Sequence, residues 1–166
     1  MQETVKQYVS RLLSYSKDRD PLRILQGTIG KVERLLKKGG ASRLSKRNSA
    51  GKCSVAEILA HLAEDEIAIG FRIRSILSEN GVPIQGFDQE AWVKNSRYLV
   101  REPQRALDLW RILRWSNLAL LKSIPRSMWN NYGNHSERGK ETVSRVVRLV
   151  AGHDLNHLRQ INQLTK

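Results

Sequence analysis

One cysteine, Cys53, stands among 166 residues, so no disulfide can form within the chain. A reducing cytoplasm is the compartment that suits such a sequence. Long apolar runs are also missing. None approaches the roughly 20 residues that a membrane-spanning helix needs, and the opening stretch MQETVKQYVSRLL lacks the apolar centre and cleavage site of a secretory leader. A cytoplasmic protein with no membrane partner is therefore expected. No segment sustains a two-residue alternation of apolar and polar side chains or clusters β-branched residues, which argues against sheet folds. Glycine-rich phosphate loops are absent, and so are internal repeats and low-complexity tracts.

Acidic residues are scarce. Against 29 lysines and arginines stand 16 acidic residues, a net charge of +13. That surplus makes nucleic acid an alternative partner, because neutralising phosphates drives non-specific binding. The basic residues, however, are scattered. Small clusters occur at Lys37-Lys38 and from Arg43 to Lys52, and no helix carries an unbroken basic stripe. A solvated basic surface is the simpler reading, and nucleic acid is not expected as the partner. With 40% hydrophobic and 27% charged residues, residues 1–166 are expected to form a single domain, residues 1–18 being an N-terminal helical extension.

Apolar spacing then predicts helices throughout. Thr4 to Ser16 carries Val5, Val9, Leu12 and Leu13 at helical intervals. Asp20 and Pro21 suit the cap and first position of a second helix, which runs through Leu36 and stops at Gly39-Gly40. The polar stretch Ala41 to Lys52 reads as a loop. Ser54 and Glu57 have the spacing of a capping box and open a long helix that SENGVP ends after residue 78. Residues 79–102 form a long connection with room for a short helix in AWVKNSRYLV. Pro103 opens the next helix, which closes before Pro125, and MWNNYGNHSERGK leads irregularly to a last helix from about Thr142. The predicted fold class is all-α: a four-helix bundle with an additional N-terminal helix.

Only four histidines occur: His61, His135, His153 and His157. His153 and His157 are four residues apart in the last helix, which places both imidazoles on one face, about 40° apart around the axis and about 6 Å apart along it. Val146, Val150 and Ile161 share that side and direct it inward. A pair at this spacing serves equally as a hydrogen-bonded core feature or as two metal ligands. His61, on the flank of the apolar stripe of the 54–78 helix, can supply a third imidazole if the two helices pack side by side. Glu57, Asp65 and Asp154 are candidates to orient the imidazoles, each equally readable as part of a solvated face. His135 reads as a surface loop residue or as a group overhanging the site. Arg72, Arg145 and Arg148 lie close enough in sequence to the histidines for one to clamp an anion, although salt bridging along the helix is their default role.

Here the chain resembles a known family. GKCSVAEILAHLAEDE is similar to the segment that introduces the first metal histidine of the DinB-like superfamily, the DinB/YfiT-like metalloenzymes. LVAGHDLNHLRQI is similar to its closing HxxxH. PLRILQGTIGKVERLL, GFDQEAW and WNNYGNHSERGKETV extend the likeness over most of the chain. The resemblance implies an up-down-down-up four-helix bundle, often a homodimer, holding a divalent ion on a triad that falls on His61, His153 and His157. Zinc or nickel is the metal it suggests, with iron or another transition metal as alternatives. The sequence departs from the family at Cys53, where tryptophan is common. Cys53 is readable as a small buried hydrophobe, a ligand or a reactive thiol.

The resemblance further implies a metal-dependent enzyme, with a thiol-dependent S-transferase or isomerase foremost and a hydrolase behind it. Its partners would be a low-molecular-weight thiol and a small electrophile. The alternative is a non-catalytic metal-binding stress-response protein or a basic nucleic-acid-binding protein. An open coordination position separates the first from a structural metal, which is normally closed by four protein ligands.

Overall fold

The computed structural model describes residues 3–39, 53–96 and 102–166. The expected loop at 41–52, the Arg43 to Lys52 basic cluster and the end of the AWVKNSRYLV segment lie outside them. Four long helices carry the fold: α2 (Pro21–Gly39), α3 (Val55–Ser78), α5 (Pro103–Ser123) and α6 (Val143–Leu164), preceded by α1 (Val5–Tyr15), with a short α4 (Gln89–Asn95) between α3 and α5.

The helix starts follow the local chemistry read from the sequence. Asp20 Oδ1 accepts from the Leu22 amide at 2.9 Å, and Pro21 occupies the first turn, where no intrahelical N–H is needed. Ser54 and Glu57 close a reciprocal box: the Ser54 hydroxyl accepts from the Glu57 amide at 3.3 Å, while the glutamate accepts from the Ser54 amide at 2.8 Å. The α5 helix begins at Pro103 and ends at Ser123 before Pro125, and Thr142 caps α6 by accepting from the Arg145 amide at 3.1 Å.

Side-chain pairings define the direction of each helix. Glu66 meets Arg114 and Arg74 meets Ser116, so α3 and α5 run parallel. His61 and Asp65 meet His153, and with Ile69 and Val150 lining one cavity the α3 and α6 helices run antiparallel. The path is up-down-down-up. Two consecutive parallel helices need a long crossover, which residues 79–102 provide.

Both long connections also pair as strands, which the sequence reading treated as irregular chain. Strand β1 (Val82–Ile84) is parallel to β2 (Tyr132–His135), and β2 is antiparallel to β3 (Gly139–Thr142). The registers are Ile84 opposite His135 and Gly133 opposite Glu141. Strands of three or four residues are too short for a periodic signal, and the β1–β2 pairing joins residues about fifty positions apart. Gly133 is required by this contact, since a Cβ there would stand 2.4 Å from Ile84 Cδ1.

The core divides along the bundle axis. One apolar cluster gathers Ile73, Ile76, Leu118, Leu121, Val147 and Val150. A second gathers Val55, Leu59, Leu62, Leu107, Trp110 and Ile161. On α3 and α5 the boundary between them is polar, occupied by Glu66, Arg114 and Asn117. Arg114, 3% exposed, donates to Glu66 Oε1 at 2.8 Å, to Asp154 Oδ2 and Oδ1 at 2.7 and 3.0 Å, and to the Leu25 carbonyl at 3.0 Å. Asn117 adds a bond to Glu66 Oε2 at 2.8 Å. One guanidinium thus joins α2, α3, α5 and α6. Burial opposes its charge, yet Asp154 and Glu66 raise its pKa, so it is fixed as a cation. Helix α1 packs on α6 through Val9, Leu12 and Leu149. Gly152 permits the close approach, because a Cβ there would stand 2.0 Å from the Leu12 carbonyl oxygen.

Candidate metal centre

His61 lies in the second turn of α3, and His153 and His157 lie one turn apart on the facing side of α6. The antiparallel packing brings the three rings together. His153 Nε2 is 3.1 Å from His61 Nε2 and 2.9 Å from His157 Nε2. His61 and His153 are buried and His157 is half-buried. Nitrogens bound to one ion at about 2.0–2.1 Å stand roughly 2.9–3.4 Å apart for octahedral to tetrahedral angles, so the observed separations fit a shared cation.

The partners of the other ring nitrogens strengthen that fit. Asp65 Oδ2 faces His153 Nδ1 at 3.3 Å, and Gln160 Oε1 lies 2.8 Å from His157 Nδ1. The Gln160 acceptor at His157 Nδ1 places that ring's proton there and leaves its lone pair on Nε2, directed at the His153 ring. Burial, followed by the neighbouring imidazoles, holds the pKa values of His153 and His157 well below 6.5, so both rings are neutral at pH 7, the form in which an imidazole can take a metal.

Of the three carboxylates expected near the imidazoles, only Asp65 is in place. It lies one turn beyond His61 on α3, 3.8 Å from His61 Nε2 as well as beside His153. Glu57 instead turns back to Ser54 in the capping box. Asp154 pairs with Arg114, because consecutive helix residues point about 100° apart and cannot share one target. Cys53 is exposed and the ligand cluster does not include it, which corrects its reading as a buried hydrophobe and leaves it outside the ligand set.

His135 is not a surface residue. It is 3% exposed on β2, its Nδ1 accepts from the Glu137 amide at 3.1 Å, and its buried Nε2 has no partner among the described residues. It lines a cavity of about 160 Å³ that also reaches Asp65 and His153, with Tyr8 from α1, Arg72 from α3 and Phe87 from the crossover on its walls. Of the three arginines considered from the sequence, Arg72 alone lines this cavity. A larger open groove of about 570 Å³ between α2 and α6 holds Lys31, Arg34, Lys38 and Arg159 and contains none of the three histidines. The smaller cavity is the one that meets the chemistry.

Among the described residues no helix is long and apolar enough to cross a membrane. The sequence profile of the DinB superfamily matches residues 24–161. The chain is 22% identical over 117 residues to a protein of Oceanobacillus iheyensis named "Putative metal-dependent hydrolase", covering 70% of this chain and 67% of that one. In three dimensions it is similar to YfiT from Bacillus subtilis, described as a probable metal-dependent hydrolase with an unusual four-helix bundle topology. The TM-score is 0.79 at 19% identity, over 98% of this chain and 88% of that one.

Proposed function

The chain belongs to the DinB superfamily, and from that premise we propose that it is a divalent-metal-dependent enzyme whose ion is held by His61, His153 and His157. The observation that carries this reading is the convergence of three Nε2 atoms, at 3.1 and 2.9 Å, beside a cavity large enough for a small molecule. Zinc or nickel suits three neutral imidazoles. Among the described residues three side chains form the cluster, fewer than the four that close a structural zinc site, which favours catalysis over a structural metal.

A divalent ion there would stabilise the deprotonated form of a coordinated thiol or water and so provide a nucleophile near neutral pH. The chain supplies the rest. Asp65 and Gln160 orient the imidazoles of His153 and His157 by engaging their Nδ1 atoms. Tyr8, Val9 and Leu12 of α1 and Phe87 of the crossover wall the cavity. The specific reaction we propose is transfer of a low-molecular-weight thiol to a small electrophile, as in an S-transferase or isomerase. Hydrolysis is the second reading, favoured by the names of the Oceanobacillus and Bacillus relatives.

The test is elemental analysis of protein purified without added metal, on the wild type and His157→Ala. About one ion per chain in the wild type and its loss in the variant are expected. A parallel screen of thiol–electrophile pairs and of ester and amide substrates separates the two reactions. Full metal occupancy in His157→Ala would refute the triad.

A further inference from the structure

Two buried arginines face each other's logic in this fold. Arg114 is surrounded by the carboxylates of Glu66 and Asp154. Arg72, 7% exposed, has no carboxylate at ion-pair distance among the described residues. Its one hydrogen bond runs from Nη2 to the Gln85 carbonyl at 3.2 Å, and its guanidinium lies over the Phe87 ring, 5.2 Å from the centroid. Burial, and then the nearby Arg138, lower its pKa, as expected of a charge whose lost hydration has not been replaced. Arg138 itself is matched, donating from Nε and Nη2 to Glu141 at 2.9 Å each.

His135 adds a second unmet demand in the same cavity. With the Glu137 amide on Nδ1, the ring proton belongs on Nε2, and that buried donor has no acceptor. A guanidinium without a carboxylate at ion-pair distance and an N–H without an acceptor among the described residues line one cavity that also reaches His153 and Asp65. Val9, Leu12, Ile69 and Leu149 supply apolar wall between these groups, and Glu137 and Arg138 also reach the lining. Asp65, Glu137 and Glu141 act on Arg72 from a distance, yet among the described residues none of the three reaches ion-pair range of its guanidinium, so the direct anionic contact is still open.

We propose that this cavity binds the carboxylate of a small organic acid, with Arg72 as its counter-charge, His135 Nε2 as a second donor and the apolar body of the acid directed toward the triad. The substrate class named for the metal-dependent reading thereby becomes a small monocarboxylate, and the inference rests on that reading only for calling the ligand a substrate. A volume of about 160 Å³ corresponds to roughly five waters at about 30 Å³ each, room for an acid of a few carbons. Arg72 is the specificity-determining residue, because an anion is the acceptor its buried fork lacks.

Calorimetric titration of the zinc-loaded full chain with butanoate and with butanamide, its neutral isostere, tests this. Butanoate should bind at least tenfold more tightly than butanamide and shift the ring resonances of His135. Arg72→Met should lose at least tenfold in butanoate affinity while keeping the wild-type zinc content. Equal binding of the two ligands, unchanged binding in Arg72→Met, or no saturable butanoate binding would overturn the proposal. So would binding that survives in Arg72→Met but vanishes in His157→Ala, which would place the carboxylate on the metal. If Arg72→Met does not fold, the butanoate and butanamide pair with the His135 resonances decides on the wild type alone. Failure of the chain to retain either zinc or nickel sinks the metal reading instead, and butanoate binding to that metal-free chain still decides the cavity.

Discussion

His153 and Asp154 are neighbours on α6 that serve different assemblies: the imidazole joins His61 and His157, while the carboxylate takes two hydrogen bonds from Arg114. The proposed ion site and the buried ion network therefore share one turn of helix. Arg114→Met should destabilise the fold by about 3–5 kcal/mol, because Glu66 and Asp154 are left buried without their counter-charge. Since α6 is anchored through Asp154, zinc affinity should fall as well. Urea denaturation with and without zinc measures both, and a loss under about 1 kcal/mol would show that the two carboxylates find other partners.

Asp65→Asn removes the carboxylate facing His153 Nδ1 while keeping its shape. The expected result is a 10- to 100-fold loss of zinc affinity in a chelator competition with an unchanged melting curve for the metal-free protein. Unaltered affinity would mean that Asp65 does not orient His153.

Acid should weaken the metal-free fold through the same histidines. His153 and His157 have folded-state pKa values well below 6.5, so the unfolded chain binds protons that the folded chain refuses. Stability is then level above about pH 7 and falls as pH drops through and below 6.5, by about 1.4 kcal/mol per pH unit for each group while the folded rings stay neutral. Thermal melts in chelator between pH 5 and 8 read the slope, and His153→Ala should reduce it.

Gly152→Ala should push α1 away from α6, since the new Cβ would meet the Leu12 carbonyl, a backbone atom with little freedom to move. Overpacking of this kind costs about 1–3 kcal/mol. Amide resonances of α1 should move, and the cavity wall formed by Tyr8, Val9 and Leu12 should open, while zinc stoichiometry remains at one because the triad lies on α3 and α6. A spectrum unchanged over residues 5–15 would contradict the close approach.

The helices were legible because their signals are local. Asp20 with Pro21 and Ser54 with Glu57 are caps complete within four residues, and the His153–His157 interval follows from the helical pitch alone. The third imidazole, His61, was within reach because the family resemblance pointed to it and its flank position faced a plausible neighbour. The Arg114 network was not legible. Glu66, Arg114, Asn117 and Asp154 are each an ordinary helix residue until four helices bring them together. Asp154 was misplaced for a geometric reason, since adjacency in sequence means divergence around a helix. His135 reads from the sequence as a surface loop residue or a group overhanging the site; its burial was not legible, because it lies on β2, which pairs with β1 across about fifty residues with no periodic pattern.

The small sheet has an evolutionary consequence. The three histidines sit on helices α3 and α6, whereas much of the cavity wall comes from α1, the crossover and the β2–β3 hairpin. On the proposed reading, reactivity and selectivity are encoded on different stretches of chain. Substitutions in the hairpin or the crossover can retune which molecule is admitted while leaving the ion cradle untouched, so relatives that share the triad are free to diverge in what they accept.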